Sequence, residues 1–312
     1  MFTKLTDTNK AAIFTVLVLC LAVGAALLIR FLSISSDPII FSVWSITPTL
    51  ATLIMLLVVT QDGYSKEVWK SLGLHRLGLS VWWIAFGVTL LITIAASAVV
   101  WSTPLASFAL PEGGLVDPIL SFFIFFGMSV VWFALIEEIG MRGYLQPHLM
   151  SLGRTTALIL VGLVFATWHL PLIFLAPVEV EFPTGNLLLF FPLFYGTFVA
   201  ASFFFGYMRI YTGSIWPASI AHAVHNAAWD VLGAVTPDNC LPGVGERLPG
   251  GRLRATDPHR CRDRCHLVSP QVQERYGRSA IGSRGSQSRP VAPLGPGGPQ
   301  VGHKEPAQPN PA

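Results

Sequence analysis

Charged side chains are scarce in this sequence. Asp, Glu, Lys and Arg together make up 12% of its 312 residues, whereas a soluble globular chain carries about 25%. Hydrophobic residues account for 52% of the chain, and the mean hydropathy is +0.59. This balance excludes an ordinary soluble protein and indicates that lipid is the solvent for much of the chain.

Cysteine is also rare, with four residues in the whole sequence. Cys20 lies in an apolar run, and the other three cluster later in the chain at Cys240, Cys261 and Cys265. This distribution excludes a disulfide framework of the kind that holds small secreted domains together.

Long apolar runs dominate the remainder of the sequence. Seven of them contain no Lys, Arg, Asp or Glu: 11–29, 38–59, 81–101, 118–136, 155–178, 187–208 and 214–229. Most reach the roughly 20 residues that a helix needs to cross a hydrocarbon core. They predict an all-α polytopic membrane protein, a bundle of about seven (six to eight) transmembrane helices.

Basic residues concentrate in alternate loops between these runs. A cytoplasmic N-terminus puts eight of the nine Lys and Arg residues before position 240 on the cytoplasmic side, with Arg30 as the exception. This bias predicts an integral multi-pass protein of the plasma (inner) membrane with a cytoplasmic N-terminus. Residues 1–80 are predicted to hold N-terminal transmembrane helices and a basic cytoplasmic loop. Residues 240–312, rich in Gly, Pro and Arg, are predicted to form a disordered tail.

A pair of carboxylates, Glu137 and Glu138, follows the fourth apolar run. Ionisable side chains at membrane depth are rare, so each one needs a reason. Glu138 and Arg142 stand four residues apart and can pair on one helix face, which leaves Glu137 as a candidate general base. Pro147 is predicted to end this helix. A structural salt bridge at a helix end is the competing interpretation.

Histidines occur in the fifth and seventh runs. His169 is followed by Pro171, which is predicted to disturb the helix and open space beside the imidazole. His222 and Asn226 share a helix face, with His225 beside them. Either group alone is typical of polar helix packing. Together with the carboxylates they supply a base, a second proton carrier and donors for an oxyanion, which favours water activation.

The joint pattern Glu-Glu-x-x-x-Arg, Phe-x-x-x-His and His-x-x-x-Asn, running from Glu137 to Asn226, resembles the CPBP intramembrane proteases. That family includes the type II CAAX prenyl endopeptidases and the bacteriocin-processing or self-immunity (Abi) proteins. The resemblance implies a protease core over residues 81–239. It implies cleavage of a membrane-associated protein or peptide, either C-terminal CAAX-type processing or peptide processing.

The resemblance also implies residue roles. Glu137, assisted by His169, would activate water, and His222 and Asn226 would stabilise the oxyanion. Supporting roles would fall to Glu138, Arg142 and His225. Because His225 is an additional histidine beside the third motif, the division of work between the imidazoles stays open.

The sequence leaves the metal question open between two mechanisms. Glu137, His169 and His222 could form a zinc site with an open position for water. The same residues could also work without a metal, and no His-Glu-x-x-His motif favours zinc. We therefore expect a metal-free glutamate mechanism with no cofactor, and zinc as the alternative.

Two other classes of function are compatible with these residues. In a transporter or channel, the same polar groups would line an ion pathway, although no internal repeat supports this. In a non-catalytic immunity protein, the site would be present without being used. The expected partners are the lipid bilayer and a membrane-associated substrate, with no nucleic acid.

Overall fold

The computed structural model of the chain describes residues 5–34, 37–103, 106–111, 113–176, 187–236, 246–247 and 253–254. Most of these residues lie in helices, which confirms the all-α prediction. The α-helices are α1 Asp7–Phe31, α2 Asp37–Ile54, α3 Lys66–Ser71, α4 Trp82–Trp101, α5 Val116–Met128, α6 Leu135–Glu138, α7 Gln146–Leu149, α8 Arg154–Leu175, α9 Leu187–Thr212 and α10 Trp216–Ala234.

Within the described residues, six helical stretches are long and apolar enough to cross a membrane. They are Asp7–Phe31, Pro38–Val59, Leu79–Trp101, Val116–Leu152, Arg154–Leu175 and Leu188–Thr212. The seventh predicted run forms α10, which is outside this set; its polar side chains His222, His225 and Asn226 lower its hydropathy. The chain is a polytopic membrane protein with a helix number in the predicted range.

The stretch Val116–Leu152 changes its helical form several times. Wider π-helical turns occupy Ser129–Ala134 and Ile139–Leu145, and the short α6 lies between them. The prediction that Pro147 ends this helix is wrong, because the helix continues to Leu152. Pro147 stands in the first turn of α7, where a missing N–H is tolerated.

The helix α8 also continues past a proline. It runs through Pro171 and ends at Leu175, so the predicted local disturbance does not break the helix.

Close approach between helices is set by small residues. A Cβ at Gly140 would lie 2.5 Å from Cβ of Pro48, so α2 presses directly on the turn that follows the carboxylate pair.

The apolar core has two parts, one on each side of the carboxylate pair. One part joins α1, α2, the turn around Met141 and α8. The other joins α4, α5, α9 and α10. The helix that carries Glu137 and Glu138 therefore lies between two packed groups of helices, and its polar side chains are enclosed.

The tail predicted as disordered lies almost wholly outside the described residues. Within it, two strands of two residues each are described, β1 Glu246–Arg247 and β2 Leu253–Arg254, which pair antiparallel. This hairpin was not predicted.

Candidate active site

The pair Glu138–Arg142 is the most deeply buried charge pair in the described part of the chain. Nη1 of Arg142 donates to Oε1 of Glu138 over 3.0 Å, and both side chains are 0% exposed. The predicted i,i+4 pairing is confirmed. Burying either charge alone would be strongly unfavourable, so each requires the other.

Aromatic rings surround the buried guanidinium group. Cζ of Arg142 lies 5.0 Å from the ring centroid of Phe165 and 5.1 Å from that of Phe205. Nε and Nη2 of Arg142 have no hydrogen-bond partner among the described residues. The ring faces supply favourable cation–π contacts instead. Arg142 is thereby held between α8 and α9.

The imidazole of His222 lies against the same carboxylate. Its Nδ1 is 3.1 Å from Oε1 of Glu138. A carboxylate paired with Arg142 acts as an acceptor, so Nδ1 of His222 carries the hydrogen and donates it. This fixes the ring so that Nε2 faces Glu137, whose Oε2 is 3.8 Å away.

Glu137 has one occupied and one free oxygen. Oε1 accepts a 2.6 Å hydrogen bond from Oγ of Ser45 on α2. Oε2 is buried and has no hydrogen-bond partner among the described residues. A buried carboxylate oxygen without a donor is unfavourable in a purely structural role, and this oxygen faces Nε2 of His222.

Sequence reasoning missed Ser45 because a serine in an apolar run carries no motif. A spacing signal was nevertheless present. Ser45 and Thr49 are four residues apart and share a face of α2, and Thr49 donates to the carbonyl of Ile136 next to the carboxylate pair. The helix α2 therefore contributes directly to the site, although the protease core was predicted to begin at residue 81.

His169 is connected to the site by the ring of Phe165, which contacts both His169 and His222. Its Nδ1 lies 2.8 Å from the carbonyl oxygen of Phe165, so Nδ1 donates and Nε2 is left as an acceptor. The ring of Phe165 is 5.0 Å from the ring of His169 and 5.8 Å from that of His222. Among the described residues no hydrogen bond joins His169 to Glu137.

The remaining polar residues of α10 lie on different faces. Asn226 is half-buried, and its Nδ2 donates to Oγ of Ser129 over 3.4 Å. This leaves the second amide hydrogen for another acceptor. His225 is exposed, and its ring lies 6.2 Å from that of Trp229. The structure therefore brings His222 to the carboxylates and turns His225 away from them.

The fit to a metal ion can be judged from the donor geometry. No group of three or more His, Cys, Asp or Glu side chains among the described residues is placed to hold one. Nδ1 of His222 is already engaged by Glu138. The Glu137, His169 and His222 set predicted as an alternative zinc site does not fit such a site in this arrangement, and no step below uses a metal.

A bundle of membrane-crossing helices that encloses carboxylates and a histidine defines a polytopic membrane protein with an ionisable site at its core. Residues 117–228 match the model of the family described as type II CAAX prenyl endopeptidase Rce1-like. This match confirms, over these residues, the predicted resemblance to intramembrane proteases of the CAAX type. Comparisons with curated proteins and with solved structures gave no match.

Proposed function

We propose that the chain hydrolyses a peptide bond at the gap between Glu137 and His222, with Glu137 as the general base. The observation that carries this proposal is the buried, free Oε2 of Glu137, which faces Nε2 of His222 at 3.8 Å. That separation is too long for a direct hydrogen bond. A water molecule or a substrate oxygen that approaches this edge meets a proton acceptor and an imidazole together.

In the proposed reaction, Oε2 of Glu137 takes a proton from water while the water oxygen attacks the scissile carbonyl carbon. The carbonyl oxygen becomes an oxyanion, which His222 and Asn226 stabilise by hydrogen bonding. Because Nδ1 of His222 already holds a hydrogen toward Glu138, donation from Nε2 requires the imidazolium form. The carbon–nitrogen bond then breaks, and the leaving amine takes the proton that Glu137 carries.

His169 is proposed as the second proton carrier. Its Nε2 is an acceptor because Nδ1 donates to a backbone carbonyl, and its ring contacts that of Phe165, which also contacts His222 and Arg142. General acid–base catalysis by a positioned side chain contributes about 10²–10⁴-fold to a rate. We expect the contribution of His169 to be smaller than that of Glu137, which faces the gap directly.

The substrate and orientation are proposed on two grounds. The family description names CAAX prenyl endopeptidases, which favours the C-terminal segment of a membrane-tethered protein or peptide. The Lys and Arg bias favours a cytoplasmic N-terminus and a cytoplasmic loop 62–78, and we propose the plasma (inner) membrane as the location of the chain. An unprenylated small peptide is the alternative substrate.

The test is Glu137→Gln in proteoliposomes, using a fluorogenic peptide with a farnesylated C-terminal Cys-aliphatic-aliphatic-X sequence and its unprenylated counterpart. We expect cleavage to fall by about 10²–10⁴-fold, because the amide cannot accept the proton. Asp117→Asn is the matched control, since it makes the same chemical change at an exposed position of the same long helix and should leave cleavage within twofold.

Two further arms make the outcome decisive. Phenanthroline should leave wild-type cleavage unchanged; loss restored by added zinc would contradict the metal-free mechanism. Ion flux is recorded in the same vesicles. No cleavage of either peptide, with an ion flux that Glu137→Gln alters, would overturn the protease assignment in favour of transport.

A further inference from the structure

A basic cleft lies away from the carboxylate pair, where α3 meets the C-terminal end of α9. Its volume is about 410 Å³, and the charged residues in its lining are Glu67, Lys70, Arg76 and Arg209. Three cations therefore face one carboxylate. The same helix α3 also carries Lys66, which does not line the cleft.

The two arginines of the cleft have only neutral partners. Arg209 donates to the carbonyl oxygens of Ser71 over 2.6 Å and of Arg142 over 3.3 Å. Nε of Arg76 donates to Nε2 of His75 over 3.3 Å. Among the described residues, no carboxylate forms an ion pair with Arg76, Arg209 or Lys70. Their positive charge is therefore available to an external anion.

The backbone around the cleft is shaped to admit the guanidinium groups. Gly73 has a φ of +84°, and a Cβ there would lie 2.9 Å from Cζ of Arg209. Gly213 has a φ of +66°, and a Cβ there would lie 3.1 Å from Nη1 of Arg76. Both positions favour glycine by conformation and by space. The arginines are thus seated against backbone, which orients their donors.

The cleft lies at the level expected for lipid headgroups. Arg209 belongs to the last turn of the span Leu188–Thr212, and Arg76 precedes the span Leu79–Trp101. Exposed aromatic side chains accompany them: Trp83 is 72% and Tyr211 is 78% exposed. Trp and Tyr concentrate at the membrane–water boundary. An anion at this depth is most readily the phosphate of a lipid.

We infer that this basic cleft binds the phosphate group of an anionic phospholipid. Arginine forks match phosphate oxygens in geometry and charge, and the cleft opens beside apolar and aromatic surface that acyl chains can cover. The inference goes beyond proteolysis and does not rest on it. Arg209 also donates to the backbone carbonyl of Arg142, so a lipid bound to Arg209 would be connected through this side chain to the helix that carries the site.

The carboxylate of Glu67 leads to a second prediction, in which a substitution strengthens lipid binding. This carboxylate accepts a 2.8 Å hydrogen bond from Oγ of Ser65, and this bond lowers the pKa of Glu67 below its ordinary value. Glu67 therefore remains anionic at neutral pH and repels a phosphate. Glu67→Gln should tighten lipid binding, whereas loss of a cation should weaken it.

The experiment measures phosphatidylglycerol retained by the purified full chain in detergent, by native mass spectrometry, with phosphatidylcholine as reference. Lys70→Gln with Arg76→Gln should lower affinity by about 25-fold, roughly fivefold for each charge removed. Glu67→Gln should raise affinity by about fivefold. Lys66→Gln is the matched control, because it removes one charge from the same short helix outside the cleft, and should change affinity by less than twofold.

Each other outcome overturns the inference. An equal loss of affinity per charge removed, in Lys66→Gln and in the double variant, would show general surface charge in place of a site. Displacement by inorganic phosphate with no preference for phosphatidylglycerol would show a site for a soluble anion. Displacement by a peptide with a free C-terminal carboxylate, but not by its amide, would assign the cleft to substrate. Arg209 is left unchanged because its backbone contacts make it structural.

Discussion

The two charged regions of this molecule follow opposite rules. In the buried cluster, the fully buried Glu138 is matched by Arg142 and His222 within 3.1 Å. In the basic cleft, three cations face one carboxylate, and Arg76 and Lys70 are exposed. A low-dielectric interior requires each charge to be matched, whereas water and salt screen an excess of one sign at the surface. The interior cluster is therefore constrained by stability, and the cleft is free to serve a ligand.

The local backbone differs between the two regions as well. Glu137 and Glu138 lie in the short α6, between the π-helical turns Ser129–Ala134 and Ile139–Leu145. Such turns are frequent at functional sites, and here the second carries Arg142. The cleft is instead made by helix ends and a loop. Replacing one charge should therefore have large effects on folding in the first region and small ones in the second.

Removing the buried cation should have the largest effect on stability. Arg142→Met leaves Glu138 buried beside apolar rings without its cation, and breaking a buried pair in this way costs about 3–5 kcal/mol. Lys70→Met, in the cleft, should stay within about 0.5 kcal/mol of wild type. The measurement is the free energy of unfolding of both variants in detergent.

A double variant separates the effect of losing the ion pair from the effect of losing the volume of the Arg142 side chain. Glu138→Gln with Arg142→Met removes both charges, so it should recover much of the stability that Arg142→Met loses. If Arg142→Met alone were as stable as wild type, the buried pair would not constrain the fold, and the contrast with the cleft would fail.

The two histidines of α10 allow the same comparison, between a buried and an exposed polar side chain, on one helix. His222→Gln should lower kcat by about 10²–10³-fold, the usual effect of losing one oxyanion donor. His225→Gln should stay within twofold, because His225 is exposed and turned away from the carboxylates. Cleavage kinetics on detergent-purified variants of equal helix content measure both. Equal losses would show that the outward histidine also serves the reaction.

Local features of this site were predictable from the sequence. Helix geometry alone places residues four apart on one face, so the Glu138–Arg142 pair and the shared face of His222 and Asn226 could be predicted without knowing the packing. Hydropathy likewise predicted the six stretches that can cross a membrane. These predictions depend on neighbours in the chain.

Features that depend on distant contacts were not predictable in the same way. Pro147 was expected to end its helix, but a π-helical turn before it lets the helix resume at Gln146. The bond from Ser45 to Glu137 joins residues 92 apart, and the packing of α2 against this helix, at Gly140 and through Thr49, brings them together. The outward direction of His225 follows from how α10 is rotated against α4 and α5.

Ser45 therefore offers the finest test of the buried cluster. Ser45→Ala removes the donor to Oε1 of Glu137 without touching substrate, so kcat should fall about tenfold, the effect of losing a hydrogen bond of about 1.5 kcal/mol to a charged group. The KM should stay within twofold. Ser42→Ala, one turn earlier on α2, removes a hydroxyl that donates to the carbonyl of Pro38 and accepts from Nε1 of Trp132, with no bond to Glu137, and should change neither constant. A Ser45→Ala enzyme with wild-type kcat and raised KM would show that Ser45 contacts substrate, and that Glu137 is held in place by its surroundings without this donor.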